Sequence, residues 1–89
     1  MAWTIELTDA AVRQLERLDR NSGRHLWKFL HERLAVLENP RSIGQALHGQ
    51  KFGELWKYRV GDYRIIARIE DDRLLILVVR IGHRRDVYR

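Results

Sequence analysis

Apolar and polar side chains alternate in four stretches of the chain, and this alternation predicts β-strands. The first stretch is short and rich in strand-forming residues, WTIEL at residues 3–7. The other three follow one another in the second half, at residues 54–60, 63–70 and 73–81. Because successive side chains of a strand point to opposite faces, each stretch can turn one apolar face to a core. We therefore predict one N-terminal strand and three C-terminal strands.

Apolar residues recur at helical spacing between these two groups of strands. Thr8 or Asp9 is expected to cap a first helix over residues 10–19, and Ser22 to cap a second helix that runs to about residue 38. The second helix carries an apolar stripe made of Leu26, Leu30, Leu34 and Leu37. The short loop between the helices predicts an antiparallel hairpin that covers one face of a sheet.

An irregular segment follows the helices. Pro40 ends the second helix, because the residue before a proline avoids helical backbone. Three glycines punctuate residues 41–53, and Leu47 is the expected anchor of this segment in the core. The predicted order is β-α-α-β-β-β. The fold class is α+β, a single domain over residues 1–89 in which a helical hairpin packs on one face of a small, mainly antiparallel, twisted sheet.

Gly61-Asp62 joins two of the alternating stretches and is the signal of a two-residue hairpin loop. Closing the hairpin at this loop places Arg59 opposite Arg64. The same register assigns Lys57 and Arg68 to the face that carries both arginines, away from the helices. Like charges directly opposite on a sheet cost up to ~1 kcal/mol. We therefore interpret this pair as a site for an anion rather than as a requirement of the fold.

Asp71-Asp72 is a weaker hairpin signal between the last two strands. If the turn closes symmetrically about this pair, Leu75, Leu77 and Val79 lie on the cationic face. Apolar residues on both faces indicate a last strand that is either central and covered or exposed as a docking patch for a partner chain. The cover would come from residues 41–53 or from the C-terminus, and the sequence does not decide between these possibilities.

The charge of the chain indicates a phosphate-rich partner. Its 89 residues include 17 Lys and Arg against 12 Asp and Glu, a formal net charge of +5. Residues 56–89 hold nine of the cations and five of the acids, and so four of the five net charges. A cationic sheet face of this kind is typical of nucleic-acid binding. There is no cysteine and no signal-like or membrane-spanning stretch, so we expect a cytoplasmic protein without disulfides.

Catalysis by a bound metal or cofactor is not predicted. The sequence has no GxSxG, no glycine-rich phosphate loop, no HExxH and no acidic pair placed for two-metal chemistry. The remaining candidates are the cations of the sheet face and the tail GHRRDVY at residues 82–88. Metal-free RNA cleavage requires a deprotonated 2′-hydroxyl, a neutralised phosphate and a protonated 5′-oxygen. Clustered guanidinium groups suit the second of these requirements.

The chain resembles the RelE/ParE superfamily of toxins from bacterial toxin–antitoxin pairs. The resemblance is carried by LHG at residues 47–49, WKYRVGDYRIIARI at 56–69 and VVRIGHRRDVYR at 78–89, and it covers nearly the whole chain in order and spacing. It implies the RelE-like microbial ribonuclease-type fold. Members of the RelE branch are ribosome-dependent endoribonucleases that cut mRNA and leave a cyclic phosphate. Members of the ParE branch poison DNA gyrase instead, and a third alternative is a toxin fold that binds RNA or a partner without cleavage.

This resemblance also implies roles for individual side chains. Lys57 is the candidate base, Arg64 the stabiliser of the transition state and Arg84 the candidate acid. Tyr88 is the candidate stacking platform, and His83 could share the acid–base work. The predicted RNA-binding residues are Arg59, which stands where a lysine is usual, and Arg68, Arg85 and Lys51. The implied partners are mRNA on the ribosome and a cognate antitoxin that covers the cationic face as part of a hetero-oligomer, with no membrane partner.

Overall fold

A five-stranded mixed sheet carries two helices on one face in the computed structural model, which describes residues 2–47 and 54–88. The helical elements are α1 (Asp9–Glu16), α2 (Arg20–Lys28) with a π-helical extension (Phe29–Leu34), and two 3₁₀ turns (Pro40–Ile43 and Asp71–Arg73). The strands are β1 (Thr4–Leu7), β2 (Gln45–Ala46), β3 (Leu55–Val60), β4 (Tyr63–Glu70) and β5 (Leu75–His83). The sheet order is β1-β5-β4-β3-β2, with β1 parallel to β5 and the other neighbours antiparallel. The predicted α+β class is therefore confirmed.

Side-chain caps decide where both helices begin. The Thr8 hydroxyl accepts a hydrogen bond from the Ala11 N–H at 3.2 Å, so Thr8 caps α1, one of the two expected residues. The predicted Ser22 cap of α2 is wrong. The Asp19 carboxylate accepts from the Ser22 N–H at 3.1 Å, which starts the helix at Arg20. Hydrogen bonding with the Ser22 side chain, and then with its N–H, holds the pKa of Asp19 below its usual range. Ser22 therefore lies in the first turn of α2, as donor to the cap.

The leucine stripe of the second helix packs on the sheet, but the helix ends earlier than predicted. Leu26, Leu30 and Leu34 are buried in the main core. A four-residue spacing drifts around an α-helix of about 3.6 residues per turn, and the wider π turn after α2 returns the end of the stripe to the core. The Ala35 N–H donates to the Leu30 carbonyl at 3.0 Å and closes this turn, so the helical segment ends at Leu34.

The β3–β4 hairpin has the predicted register. Val60 pairs with Tyr63, Arg59 with Arg64 and Lys57 with Ile66. Gly61 adopts a φ of 60°, the left-handed conformation that this tight turn requires and that glycine adopts without cost. Side chains of the helix-facing set are buried against the helices, namely Tyr58, Val60, Ile65, Ala67 and Ile69.

The predicted symmetric turn about Asp71-Asp72 is wrong. The chain forms a 3₁₀ turn over Asp71–Arg73, Leu74 takes a left-handed φ of 47°, and Glu70 pairs with Leu75. Both oxygens of Asp71 accept hydrogen bonds from the Arg41 guanidinium, at 2.9 and 2.7 Å, and these bonds lower the pKa of the Asp71 carboxyl. The last strand consequently begins two residues later than expected.

A β-bulge at Val79 changes the faces of β5. Ala67 pairs with Val78 whereas its neighbour Ile66 pairs with Arg80, so Val79 is the extra residue. The α1 cap supports this bulge, because the Thr8 N–H donates to the Val78 carbonyl at 2.9 Å and the Thr8 hydroxyl donates to the Val79 carbonyl at 3.3 Å. The bulge interrupts the predicted row of Leu75, Leu77 and Val79. β5 is an inner strand, between β1 and β4, and on its face away from the helices Leu75 is buried and Leu77 is half-buried. The docking patch for a partner chain stays a prediction.

The segment predicted to be irregular contains a short strand, β2, which the sequence pattern does not predict. It pairs with β3 through Gln45 to Lys57 and Ala46 to Trp56. The preceding 3₁₀ turn is fixed from the core, because the hydroxyl of the fully buried Tyr58 donates to the Pro40 carbonyl at 2.7 Å. Burial raises the pKa of that hydroxyl to about 12. The expected anchor Leu47 is only half-buried.

Candidate functional site

Three neighbouring strands present cations on the sheet face away from the helices, which we call the open face. Lys57 on β3 and Arg80 on β5 both pair with Ile66 of β4, so the two cations flank one buried apolar residue. One pleat further along β4, Arg64 pairs with Gly82. Because residues of one face lie side by side across a sheet, these strands concentrate positive charge in a small area.

The C-terminal turn, residues 84–88, folds back onto the open face. The buried Val87 lies against Gly82, where an added Cβ would be 3.4 Å from the Val87 Cα. Arg80 Nη1 donates to the Val87 carbonyl at 2.8 Å. The next ring, Tyr88, is 46% exposed, and Lys57 Nζ lies 5.7 Å from its centroid, within cation–π range. The turn therefore joins the C-terminal tyrosine to the predicted base.

Arg64 is part of the fold as well as of the cationic face. It is only 8% exposed, and its Nη1 donates to the carbonyls of Gly61 at 2.9 Å and Tyr63 at 2.8 Å. The side chain thus closes the β3–β4 turn. The turn carbonyls use one guanidinium nitrogen of Arg64, so this arginine has a role in the fold, and anion binding by its other nitrogens stays a prediction.

Arg84 contacts the same turn through Asp62. Its backbone N–H donates to the Asp62 carbonyl at 2.7 Å. Its side chain is loosely held, with Nε 3.8 Å from Asp62 Oδ1 and both side chains more than half exposed. Arg64 and Arg84 are therefore brought together at the Gly61-Asp62 turn, one fixed and one free to reorient.

The remaining predicted site residues lie elsewhere or are exposed. His83 pairs with Tyr63 on the helix-bearing face, with ring centroids 5.8 Å apart, and its Nδ1 accepts from the Arg85 N–H at 3.2 Å. The structure does not bring this histidine to the open face with Lys57. Exposed side chains of the predicted RNA-binding set are Arg59, Arg68 and Arg85. Lys51 lies outside the described residues.

Sequence reasoning missed Arg80 as a site residue. In a regular strand Arg80 would pair with Ile65 and point under the helices, and only the bulge at Val79 turns it to the open face. The sequence carries no signal for this bulge. Within residues 2–47 and 54–88, no cluster of three or more His, Asp or Glu side chains could hold a metal ion. No helix in these ranges is long and apolar enough to cross a bilayer.

Arg64→Ala is expected to lower the free energy of unfolding by about 1–2 kcal/mol, because two carbonyls lose a charged donor at a partly buried turn. Urea denaturation measures this loss. Arg59→Ala is the matched control, since it removes an exposed charge from the opposite position and should change stability by less than about 0.5 kcal/mol. Equal stability of both variants and the parent chain would contradict a structural role for Arg64.

A family model and individual relatives of this chain are all toxins. The family model described as the ParE toxin of type II toxin–antitoxin system, parDE, matches residues 5–88. The toxin RelG of Mycobacterium tuberculosis is 29% identical over 89 residues, 100% of this chain and 99% of that protein. The mRNA interferase toxin RelE of Escherichia coli K12 is 27% identical over 84 residues, 94% of this chain and 85% of that protein.

A solved structure extends the likeness to three dimensions. A chain in the crystal structure of the toxin–antitoxin complex RelBE2 from M. tuberculosis superposes with a TM-score of 0.85 at 27% identity, over 97% of this chain and 95% of that chain. The shared fold consists of the two helices and the mixed sheet, and the sheet carries the open face. The chain belongs to the ParE toxin family of type II toxin–antitoxin systems, within the RelE/ParE superfamily.

Proposed function

We propose that this toxin is an endoribonuclease that cuts mRNA on the ribosome and so inhibits translation. The observation that carries the proposal is the contact of Lys57 with the exposed ring of Tyr88, on the sheet face that also carries Arg64. Arg84 lies at the turn that joins β3 and β4. A nucleobase of RNA can stack on such a ring while cations of the same face contact the RNA phosphates. The relative from E. coli K12 named an mRNA interferase supports the same reaction class.

The proposed reaction needs no group beyond these side chains. Lys57 takes the proton of the 2′-hydroxyl, the 2′-oxygen bonds to the adjacent phosphorus, and the bond to the 5′-oxygen breaks. The products are a 2′,3′-cyclic phosphate and a 5′-hydroxyl. Arg64 contacts the phosphate through the guanidinium nitrogens that the turn carbonyls do not use. Arg84 turns away from Asp62 and gives a proton to the leaving 5′-oxygen, which completes the 5′-hydroxyl. Transfer of the proton from Lys57 to Arg84 through solvent then restores both side chains.

Replacing the 2′-hydroxyl on the 5′ side of the cut by hydrogen should abolish cleavage, because the attacking atom is removed. The test is mapping of mRNA ends after incubation with programmed ribosomes, with the product analysed for a 2′,3′-cyclic phosphate. The same mRNA with the deoxy substitution one nucleotide to the 3′ side serves as control and should still be cut. Cleavage that survives the first substitution would exclude this mechanism.

Inhibition of DNA gyrase is the second candidate function, because the family model that matches residues 5–88 is described as a ParE toxin. The two candidates are distinguished by parallel assays of ribosome-bound mRNA and of DNA supercoiling. Intact mRNA together with blocked supercoiling would assign the chain to the gyrase-directed branch. Cut mRNA with normal supercoiling would assign it to the ribonuclease branch.

A cognate antitoxin is part of the proposal, as are the ribosome and mRNA as partners in the cytoplasm. The M. tuberculosis structure similar to this chain is a toxin–antitoxin complex. On the open face the half-buried Leu77 lies opposite the exposed Arg68, and Arg80 follows on the same strand. An antitoxin with acidic and apolar side chains matches this surface, and it would block the proposed RNA site in a hetero-oligomer.

A further inference from the structure

We propose that Arg80 is a positioning residue, turned to the open face by the bulge at Val79, that holds Tyr88 beside Lys57. The inference deepens the proposed function and rests on it only for the effect on mRNA cleavage. The geometry itself stands on contacts between Arg80, Val87 and Gly82.

The bulge determines which face of the sheet receives Arg80. With an uninterrupted ladder, Ile66 would pair with Val79, and Arg80 would point into the core under the helices. The inserted residue shifts the alternation by one position, so Arg80 and Gly82 both belong to the open face. Beyond the end of β1, the Ile81 N–H donates to the side-chain oxygen of Gln14 at 2.7 Å, which holds the shifted strand to α1.

The C-terminal turn is fixed at Val87. Its carbonyl accepts the 2.8 Å bond from Arg80, its N–H donates to the His83 carbonyl at 3.0 Å, and its side chain lies against Gly82. Tyr88 follows directly and is 46% exposed, so packing of the ring itself restrains it weakly. The anchor one residue earlier therefore sets where the ring lies relative to Lys57.

The role of Gly82 follows from the same contact. A methyl group at this position would just reach Val87, at 3.4 Å, and any larger side chain would occupy the volume that Val87 fills. Gly82 leaves space for the Val87 side chain, and the Arg80 guanidinium, two residues earlier, binds the Val87 carbonyl. Together they fix the position of Val87. Neither residue needs to touch RNA for Tyr88 to be placed correctly.

Arg80→Ala tests the inference in the full chain, with Arg73→Ala as the control that removes an exposed cation near the other end of β5. The chemical shifts of the Tyr88 ring protons, measured by NMR, report the position of the ring. The chain has three tyrosines, and comparison with Tyr88→Phe assigns the signals of Tyr88. The ring signals should shift and show increased motion in Arg80→Ala and stay unchanged in Arg73→Ala. In Arg80→Lys, which keeps a hydrogen-bond donor, the ring signals should lie closer to those of the parent chain than in Arg80→Ala. Unchanged Tyr88 signals in Arg80→Ala would overturn the inference.

The cleavage assay distinguishes positioning from direct contact with RNA. In the parent chain Arg80→Ala should slow cleavage about 10-fold or more, since small misplacements of a substrate-positioning group carry large costs. In a Tyr88→Ala background the same substitution should change the rate less than about twofold, because the residue it positions is already lost. Equal losses in both backgrounds would overturn the inference. A parent chain that cuts no mRNA refutes the proposed function alone, and the NMR result then decides the positioning.

Discussion

Arg84→Ala should slow mRNA cleavage on programmed ribosomes about 100-fold or more while the protein stays folded. The expected loss is large because the proposed role of Arg84 is to contact charge that develops only as the phosphate bond breaks. The expected cost in stability is small, since the side chain is 54% exposed and its ion pair with Asp62 spans 3.8 Å. Single-turnover cleavage rates and a melting temperature measure the two effects separately.

Arg85→Ala is the matched control for this prediction. Arg85 is the next residue, is also exposed, and carries the same charge, but its backbone is bound to His83 rather than to the turn of the proposed site. Its loss should act on mRNA binding, through a change of apparent affinity of a few-fold at low salt. If the two variants lost the same amount of rate, net charge rather than the location of Arg84 would account for the activity.

Gly44→Ala should lower the free energy of unfolding by about 1–3 kcal/mol, the usual cost of overpacking a core. A Cβ at Gly44 would lie 2.7 Å from the ring of Tyr58. That ring cannot move aside easily, because it is fully buried and its hydroxyl donates to the Pro40 carbonyl. The backbone at this glycine has an ordinary φ of −112°, so the cost is steric.

Gly23→Ala is the corresponding control, and it should change stability in the opposite direction. Gly23 lies inside α2, and a Cβ there would meet only the Leu15 carbonyl, at 3.8 Å. Alanine in place of glycine in a helix interior stabilises by about 0.5–1 kcal/mol. Urea denaturation of both variants provides the measurement. A Gly44→Ala protein as stable as the parent would show that the ring of Tyr58 has room to move.

Features set by neighbours in the chain could be predicted from the sequence. The β3–β4 register follows from alternation on both sides of Gly61-Asp62, and it was confirmed down to the pair of Arg59 and Arg64. The cap of α1 was predicted as Thr8 or Asp9, adjacent residues before a helical repeat, and the structure has Thr8. The cap of α2 could not be decided in this way, because Asp19 and Ser22 are both capping residues and lie three positions apart.

Features set by distant residues could not be predicted. The turn after β4 depends on Arg41, which binds Asp71 from 30 residues away. The bulge depends on Thr8, whose hydroxyl binds the Val79 carbonyl across 71 residues. In the candidate site, alternation alone assigned Lys57 and Arg64 to one face. The contact of Arg80 with Val87 could not be assigned in this way, because it needs the bulge at Val79 and the folded C-terminal turn.

The position of β5 between β1 and β4 has a consequence for the order in which the molecule folds. β1 pairs with β5, with Thr4 opposite Leu75. The first strand of the described chain therefore cannot pair until the last strand is available. Contacts between residues so far apart in sequence form slowly, because a long loop must close first. During synthesis β1 and the helices therefore expose apolar surface until β5 emerges. The same late strand then completes the hydrophobic core and brings Arg80 and the C-terminal turn into place.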